Sequence, residues 1–210
     1  DLSALGLDKI EENDAEFSIG AMVTLRQLEL HAGIAAYTNG AMKEALRHIV
    51  GVQFRNLATV GGSVFGRFGF SDVLTILLAL DAKVELYKGG IIPMREFAKM
   101  PYDRDILVRV IIPKQDISCS YASVRIAKTD FPVLTCAAAK TSAGVHIAVG
   151  ARPAKAALVL DEQGILSAGI TEESVKAFVA YAASLLPTDS NPRGSAAYRT
   201  HLIRVLVERA

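Results

Sequence analysis

The sequence predicts an α+β protein in two parts, and three observations lead there. Residues 82–93 carry a hairpin signal: 82–87 alternates, Lys88-Gly89-Gly90 turns, and Ile91-Ile92-Pro93 returns. Residues 120–126, 132–140 and 146–150 read as three more strands with short turns between them, at Thr129-Asp130 and Ser142-Ala143-Gly144. Two helical patterns follow, 172–186 behind Thr171 and 195–209 behind Gly194, and a meander of this kind buries one face against helices.

Earlier elements are shorter. Residues 15–22 alternate well enough for a strand, and Thr24 is an N-cap for a helix whose apolar stripe is Leu25 and Leu28, with Leu30 a further candidate. Residues 41–50 read as a second helix, with Met42, Ala45, Leu46 and Ile49 on one side and Gly51 as its stop. His48 falls in the last turn, as a capping or solvated residue. The run from Ile106 to Ile112 is nearly all apolar, which implies a strand buried on both faces. Pro113 ends it, and the polar Lys114-Gln115-Asp116 makes the best boundary in the chain, dividing 1–114 from 115–210.

Composition sets limits on function. The 210 residues are 51% hydrophobic and 21% charged, with no run long enough to span a bilayer. Formal net charge is +1 and the basic residues are scattered, so neither nucleic acid nor an anionic membrane is an expected partner. Cys119 and Cys136 form no C-x-x-C, and His31, His48, His146 and His201 are dispersed, so the chain is expected to hold no metal. No signal peptide is seen, which points to a cytoplasmic protein with reduced thiols. Spacing assembles neither a nucleophile–His–acid set nor a paired-carboxylate site.

One stretch carries chemistry: Arg55-Asn56-Leu57-Ala58-Thr59-Val60-Gly61-Gly62-Ser63. Paired glycines between Thr59 and Ser63 describe a turn that a ligand can approach closely, with backbone N–H groups free to donate to phosphate. No Lys-Ser or Lys-Thr follows, so it is no P-loop, and the spacing Gly61, Gly62, Gly66 fails the G-x-G-x-x-G fingerprint. A plain tight turn stands beside the ligand reading. Further on, Ser71 or Asp72 is placed to cap the helix at 73–80.

The wording from Arg55 to Ser63, followed by Ser71-Asp72-Val73-Leu74-Thr75-Ile76-Leu77-Leu78-Ala79-Leu80-Asp81-Ala82, resembles the FAD-binding medium subunits of the molybdenum hydroxylases, the xanthine dehydrogenase and carbon monoxide dehydrogenase family. Later stretches are similar to the C-terminal domain of the same subunits: Asp130-Phe131-Pro132, Val149-Gly150-Ala151-Arg152-Pro153 and Tyr198-Arg199. The resemblance implies the second half of a PCMH-type FAD-binding domain over 1–114, its N-terminal part missing along with a further Gly-Gly turn. A small α+β domain with a three-stranded antiparallel sheet would then cover 115–210.

It also implies FAD, with Arg55, Asn56, Thr59, Gly61, Gly62 and Ser63 around the phosphates and Asp72 on ribityl or ribose hydroxyls. Ile106 and Leu107 would pass the isoalloxazine ring, and Arg125 would supply a cation near the N1–C2 edge, where many members carry a Lys and this chain offers Ser123. Molybdopterin and 2Fe-2S clusters would sit on partner subunits, and electrons would pass through FAD to NAD. The loop Phe65-Gly66-Arg67-Phe68-Gly69-Phe70 departs from the family's small residues. Two roles stay open for it, stacking on the flavin or lying as a lid over the core. Against the enzyme reading stand two others: a scaffold subunit that has lost its flavin, and a stand-alone FAD-dependent reductase.

Overall fold

In the computed structural model, which describes residues 2–102 and 104–210, the apolar run after Ile106 becomes the middle strand of a five-stranded antiparallel sheet. Its strands are β1 (Ile10–Glu12), β2 (Glu16–Gly20), β3 (Lys83–Leu86), β4 (Gly90–Pro93) and β5 (Leu107–Pro113), in the order β1-β2-β5-β3-β4. The central position of β5, paired with β2 on one side and β3 on the other, is why that run is so apolar. Glycines at the 88–90 turn close the hairpin β3–β4, with Gly90 at φ 67° and Asp105 accepting from Lys88 N and Gly89 N at 2.9 and 2.8 Å.

Short helices link these strands: α1 (Leu25–Leu30), α2 (Ala32–Tyr37), α3 (Ala41–Leu46), α4 (Val52–Arg55), α5 (Val60–Phe65), α6 (Asp72–Ala79) and α7 (Met94–Phe97). Thr24 closes a capping box on α1, taking Gln27 N at 3.1 Å and giving its own N–H to Gln27 Oε1 at 2.8 Å. The helix expected over 41–50 stops at Leu46. Arg55 Nη1 draws the carbonyls of Ile49 and Val50 to 3.1 and 3.4 Å, Val50 turns to φ 48°, and Gly51 opens α4 instead of ending α3. Every residue of α6 is buried, as a helix apolar around its whole circumference must be. Leu74, Ile76 and Leu77 are 0–1% exposed, each stabilising the fold by roughly 1.5–3 kcal/mol.

The second sheet is antiparallel too: β6 (Ile117–Val124), β7 (Leu134–Thr141), β8 (Gly144–Gly150) and β9 (Ala157–Leu160), in that order. It has a fourth strand beyond the three expected, because the short apolar segment after Arg152-Pro153 pairs with β8. Two long helices, α8 (Glu172–Leu185) and α9 (Ala196–Arg209), cover one face through Phe178, Val179, Leu202, Ile203 and Leu206 against Cys136, Ala138, Ile147 and Val149. The opposite face carries Ala137, Ala139 and Ala148, small enough for α6 to press close, and these join the same core as Leu74, Leu77, Val84, Val110 and Ile112. One core therefore runs across the polar stretch at 114–116. Both cysteines are buried and free, and burial pushes each thiol up to about 12. Among the described residues no helix is long and apolar enough to cross a membrane.

Candidate functional site

Thr59 stands in extended backbone at φ −106°, ψ 159°, and its Oγ1 accepts Gly62 N at 3.1 Å, so the paired glycines form the first turn of α5. The sequence predicts free amides here, and the structure corrects that. Val60 N donates to Val23 O and Gly61 N to Ala21 O, both at 2.8 Å, while Ser63 N donates to Thr59 O at 3.1 Å. All four amides from Val60 to Ser63 are committed within the fold. Gly61 is small for a packing reason: a Cβ there would meet Ala21 O at 2.7 Å and the Ala21 methyl at 2.9 Å. Gly62 is exposed, and its Cβ would meet only Thr59 Oγ1, at 3.2 Å.

What the turn does offer is a wall. Thr59, Gly61 and Gly62 line a cleft of about 270 Å³ with Met22, Ile106 and Leu107, so five of the expected residues meet in one place. Most of that surface is apolar, and the glycines add no side chain to it. Its chemistry fits one face of a planar ring system. It does not fit a diphosphate, since the neighbouring amides are occupied and the Asp105 carboxylate lies at the rim.

Ser63, Asp72 and Arg125 line a different cavity, of about 290 Å³, on the other side of α5. Ser71 rather than Asp72 caps α6, its Oγ accepting Leu74 N at 3.1 Å. Asp72 is turned inward, where its Oδ1 accepts from both the Tyr121 hydroxyl and Arg125 Nη2. Burial outweighs the Arg125 charge and pushes the Asp72 carboxyl above the usual range, and burial with the facing carboxylate pushes the Tyr121 phenol well above its own. Arg125 also gives Nη1 to Asp130 O at 2.7 Å. Its guanidinium is thus held by an internal carboxylate and carbonyl, not left free for a flavin carbonyl edge.

The aromatic loop reaches this second cavity. Phe68 stacks on Phe70 at 5.2 Å between centroids, and Phe70 meets Phe131 edge-on at 4.7 Å, so Phe68, Phe70 and Phe131 wall the cavity together. Gly69 passes the Ala154-Lys155 backbone so closely that a Cβ would sit 1.9 Å from Ala154 O. Arg67 points the other way, over the Phe97 ring at 3.9 Å, donating to the carbonyls of Phe97 and Phe65.

Arg55 and Asn56 join neither cavity. Arg55 is 4% exposed and donates Nε to Glu29 at 2.9 Å, which makes it a strut between α1 and α4. Asn56 is exposed, at the end of α4. Tyr121, buried behind Asp72, is the residue of this cluster that sequence reasoning did not single out. Tyr121 could have been found from alternation along β6, which turns it to the same face as Cys119.

Two antiparallel sheets around a shared core, with a cleft at a paired-glycine helix start, are features of a two-domain α+β FAD-binding fold. Residues 1–115 match the FAD binding domain in molybdopterin dehydrogenase, and 115–210 match the CO dehydrogenase flavoprotein C-terminal domain. The chain belongs to the family of FAD-binding medium subunits of the molybdenum hydroxylases. It is 30% identical over 208 residues to the uncharacterized protein YgfM of Escherichia coli K12, covering 98% of this chain and 76% of that one. It is 28% identical over 218 residues to the nicotine 6-hydroxylase medium subunit of Paenarthrobacter nicotinovorans, covering 97% and 77%. Among solved structures, carbon monoxide dehydrogenase from Hydrogenophaga pseudoflava shares the fold at a TM-score of 0.84 and 22% identity, over 97% of this chain and 76% of that one. Quinoline 2-oxidoreductase from Pseudomonas putida 86 does so at 0.81 and 21%, over 97% and 76%.

Proposed function

We propose that this chain is the FAD-carrying subunit of a heteromeric, cytoplasmic molybdenum hydroxylase of the xanthine dehydrogenase kind. In this reading electrons arrive from iron–sulfur clusters on a partner subunit and leave to NAD, while the organic substrate is oxidised at molybdopterin on another subunit. Bound FAD supplies the interconversion of one-electron and hydride transfer. This chain supplies a wall: Thr59, Gly61, Gly62, Ile106 and Leu107 would lie against one face of the ring and keep water from it. The meeting of those five residues in one apolar cleft is the observation that carries the reading. Support for partners comes from the relatives, one named as the medium subunit of nicotine 6-hydroxylase and another as the medium chain of glyceraldehyde dehydrogenase from Sulfolobus acidocaldarius. The division at 114/115 belongs to the same proposal, the second domain serving to hold Arg125 and Tyr121 against Asp72.

A second reading has an observation of its own. The occupied amides of residues 60–63 and the closed Asp72–Arg125 pair are what a scaffold subunit without flavin would show. Absorbance of the purified full-length protein separates the two. Visible flavin bands, bleached by NADH and accompanied by iron–sulfur and molybdenum chains on purification, are expected. A colourless protein that takes up no added FAD supports the scaffold, and a yellow one that NADH leaves unchanged removes NAD from the scheme.

A further inference from the structure

We propose that the chain has an anion site remote from α5, which takes a small phosphate-bearing molecule. A cavity of about 470 Å³, within the usual range for small-molecule sites, opens where α7 and the end of α6 approach β9 and α8. Arg95, Lys99, Arg152 and Lys155 line it, against one carboxylate, Glu162. The four cations are not equivalent. Lys155 Nζ is tied to the carbonyls of Lys99 and Met100 at 3.1 Å each, fixing the cavity's edge, and Arg95 leans on Asp81 at 3.4 Å with its side chain 46% exposed. Lys99 is exposed at the mouth.

Arg152 is the residue that asks for a ligand. It is 9% exposed, gives Nη1 to Pro187 O at 2.6 Å, and keeps a buried Nε with no hydrogen-bond partner. Among the described residues no carboxylate is hydrogen-bonded to it, and its burial works against the charge it carries. An anion with several acceptor oxygens in this cavity would meet Lys99 and Arg95 at its mouth and the Arg152 guanidinium on its wall, through a nitrogen other than the enclosed Nε. The recess also chooses the size of the guest. A nucleic-acid backbone or an acidic protein surface would engage the exposed Arg95 and Lys99 and leave Arg152 unmet. The wall from β9 is apolar and Tyr181 stands beside it, so a phosphate ester with an organic body suits the cavity better than the bare ion.

Isothermal calorimetry on the full chain with inorganic phosphate and with ribose 5-phosphate tests the site. Both are expected to bind, the ester more tightly, and Lys99→Gln, at the surface, is expected to weaken each by roughly tenfold. Arg152→Gln is expected to abolish binding. Should that variant fail to fold, Lys99→Gln together with Arg95→Gln carries the test. Gly62→Ala, on the cleft at α5, should leave phosphate affinity unchanged. Absence of heat from either probe at millimolar concentration overturns the proposal, as does wild-type affinity in the Lys99 and Arg95 variants.

Discussion

Tyr121, within β6, donates its phenolic hydrogen to Oδ1 of Asp72, the first residue of α6, and Arg125 reaches the same oxygen. Three side chains from two domains thereby meet on one buried carboxylate oxygen. The contact fixes how α6 lies on the second sheet, alongside the Thr75–Thr135 hydroxyl pair at 3.1 Å further along the same helix. A position expected from resemblance to serve a cofactor hydroxyl is thus also the joint between the two halves of the core.

Breaking that joint has a graded cost. Arg125→Met leaves the Asp72 carboxylate buried without its cation and is expected to destabilise by about 3–5 kcal/mol. Tyr121→Phe removes one charged hydrogen bond, about 1.5–3 kcal/mol. Urea unfolding reads both, and the double change Asp72→Asn with Arg125→Met should recover part of the loss. If Arg125→Met unfolds at the wild-type midpoint, the pair holds nothing together.

The strut at Arg55 makes stability pH-dependent. Glu29 is 5% exposed, and its Oε2 accepts Arg26 Nη1 and Arg55 Nε, each at 2.9 Å. Burial alone would raise this carboxyl, but the two guanidinium bonds outweigh it and hold it below the usual range. A folded pKa below the unfolded value, about 4.3, gives stability that is present above that pH and lost as pH falls through the folded value. Glu29→Gln should therefore flatten the acid limb of the stability curve, and near neutrality cost about 3–5 kcal/mol by leaving Arg55 unpaired. Chemical unfolding at a series of acid pH values measures it, and an unchanged slope would contradict the assignment.

The paired glycines are separable by their surroundings. Gly61→Ala forces a methyl against the Ala21 carbonyl, a backbone atom that cannot swing away, and is expected to cost about 1–3 kcal/mol of overpacking. Gly62→Ala touches only Thr59 Oγ1 and should fold with near wild-type stability, yet place its methyl at the cleft. Its expected signature is weaker FAD retention in a stable protein. Full flavin content in Gly62→Ala would show that the cofactor does not lie on this wall.

Much of this was legible in the sequence because the local signals agreed with the tertiary outcome. The N-cap at Thr24, the 88–90 turn and the helix behind Ser71 each follow from short-range chemistry that packing only reinforces. Where reading failed, a distant partner decided. Free amides at 60–63 were a fair expectation for a Gly-Gly turn, but while Thr59 takes those of Gly62 and Ser63 locally, the acceptors of Val60 and Gly61, Val23 O and Ala21 O, lie some forty residues earlier on a segment whose approach no local pattern announces. Arg55 and Arg125 read as exposed cations available to a ligand, since nothing near them in sequence supplies the carboxylates of Glu29 and Asp72 that bury them. Family resemblance located the cleft through Thr59, Gly61 and Gly62, while alternation along β6 turns Tyr121 inward and only the assembled sheets give it Asp72 as a partner.

Arg199 gives the second domain its most demanding polar core residue, at 0% exposure in the middle of helix-to-sheet packing. Its Nε donates to Val133 O at 2.9 Å, Nη1 to Asp189 O at 2.8 Å and to Gly194 O, and Nη2 to Asn191 Oδ1 at 2.6 Å. One planar fork thus satisfies the loop between α8 and α9 and pins it to the start of β7. Arg199→Met preserves length and removes every donor, leaving the buried Val133 carbonyl unmet while the acceptors of the exposed loop turn to water, so a loss of about 1–3 kcal/mol is expected. Lysine restores the charge without the fork and should recover only part. Hydrogen exchange places the effect: the amides of residues 188–191 and 193–195 are expected to lose protection in Arg199→Met while those of β3 and β5 keep theirs. Unchanged protection across that loop would mean that its own turns, not Arg199, hold it in place.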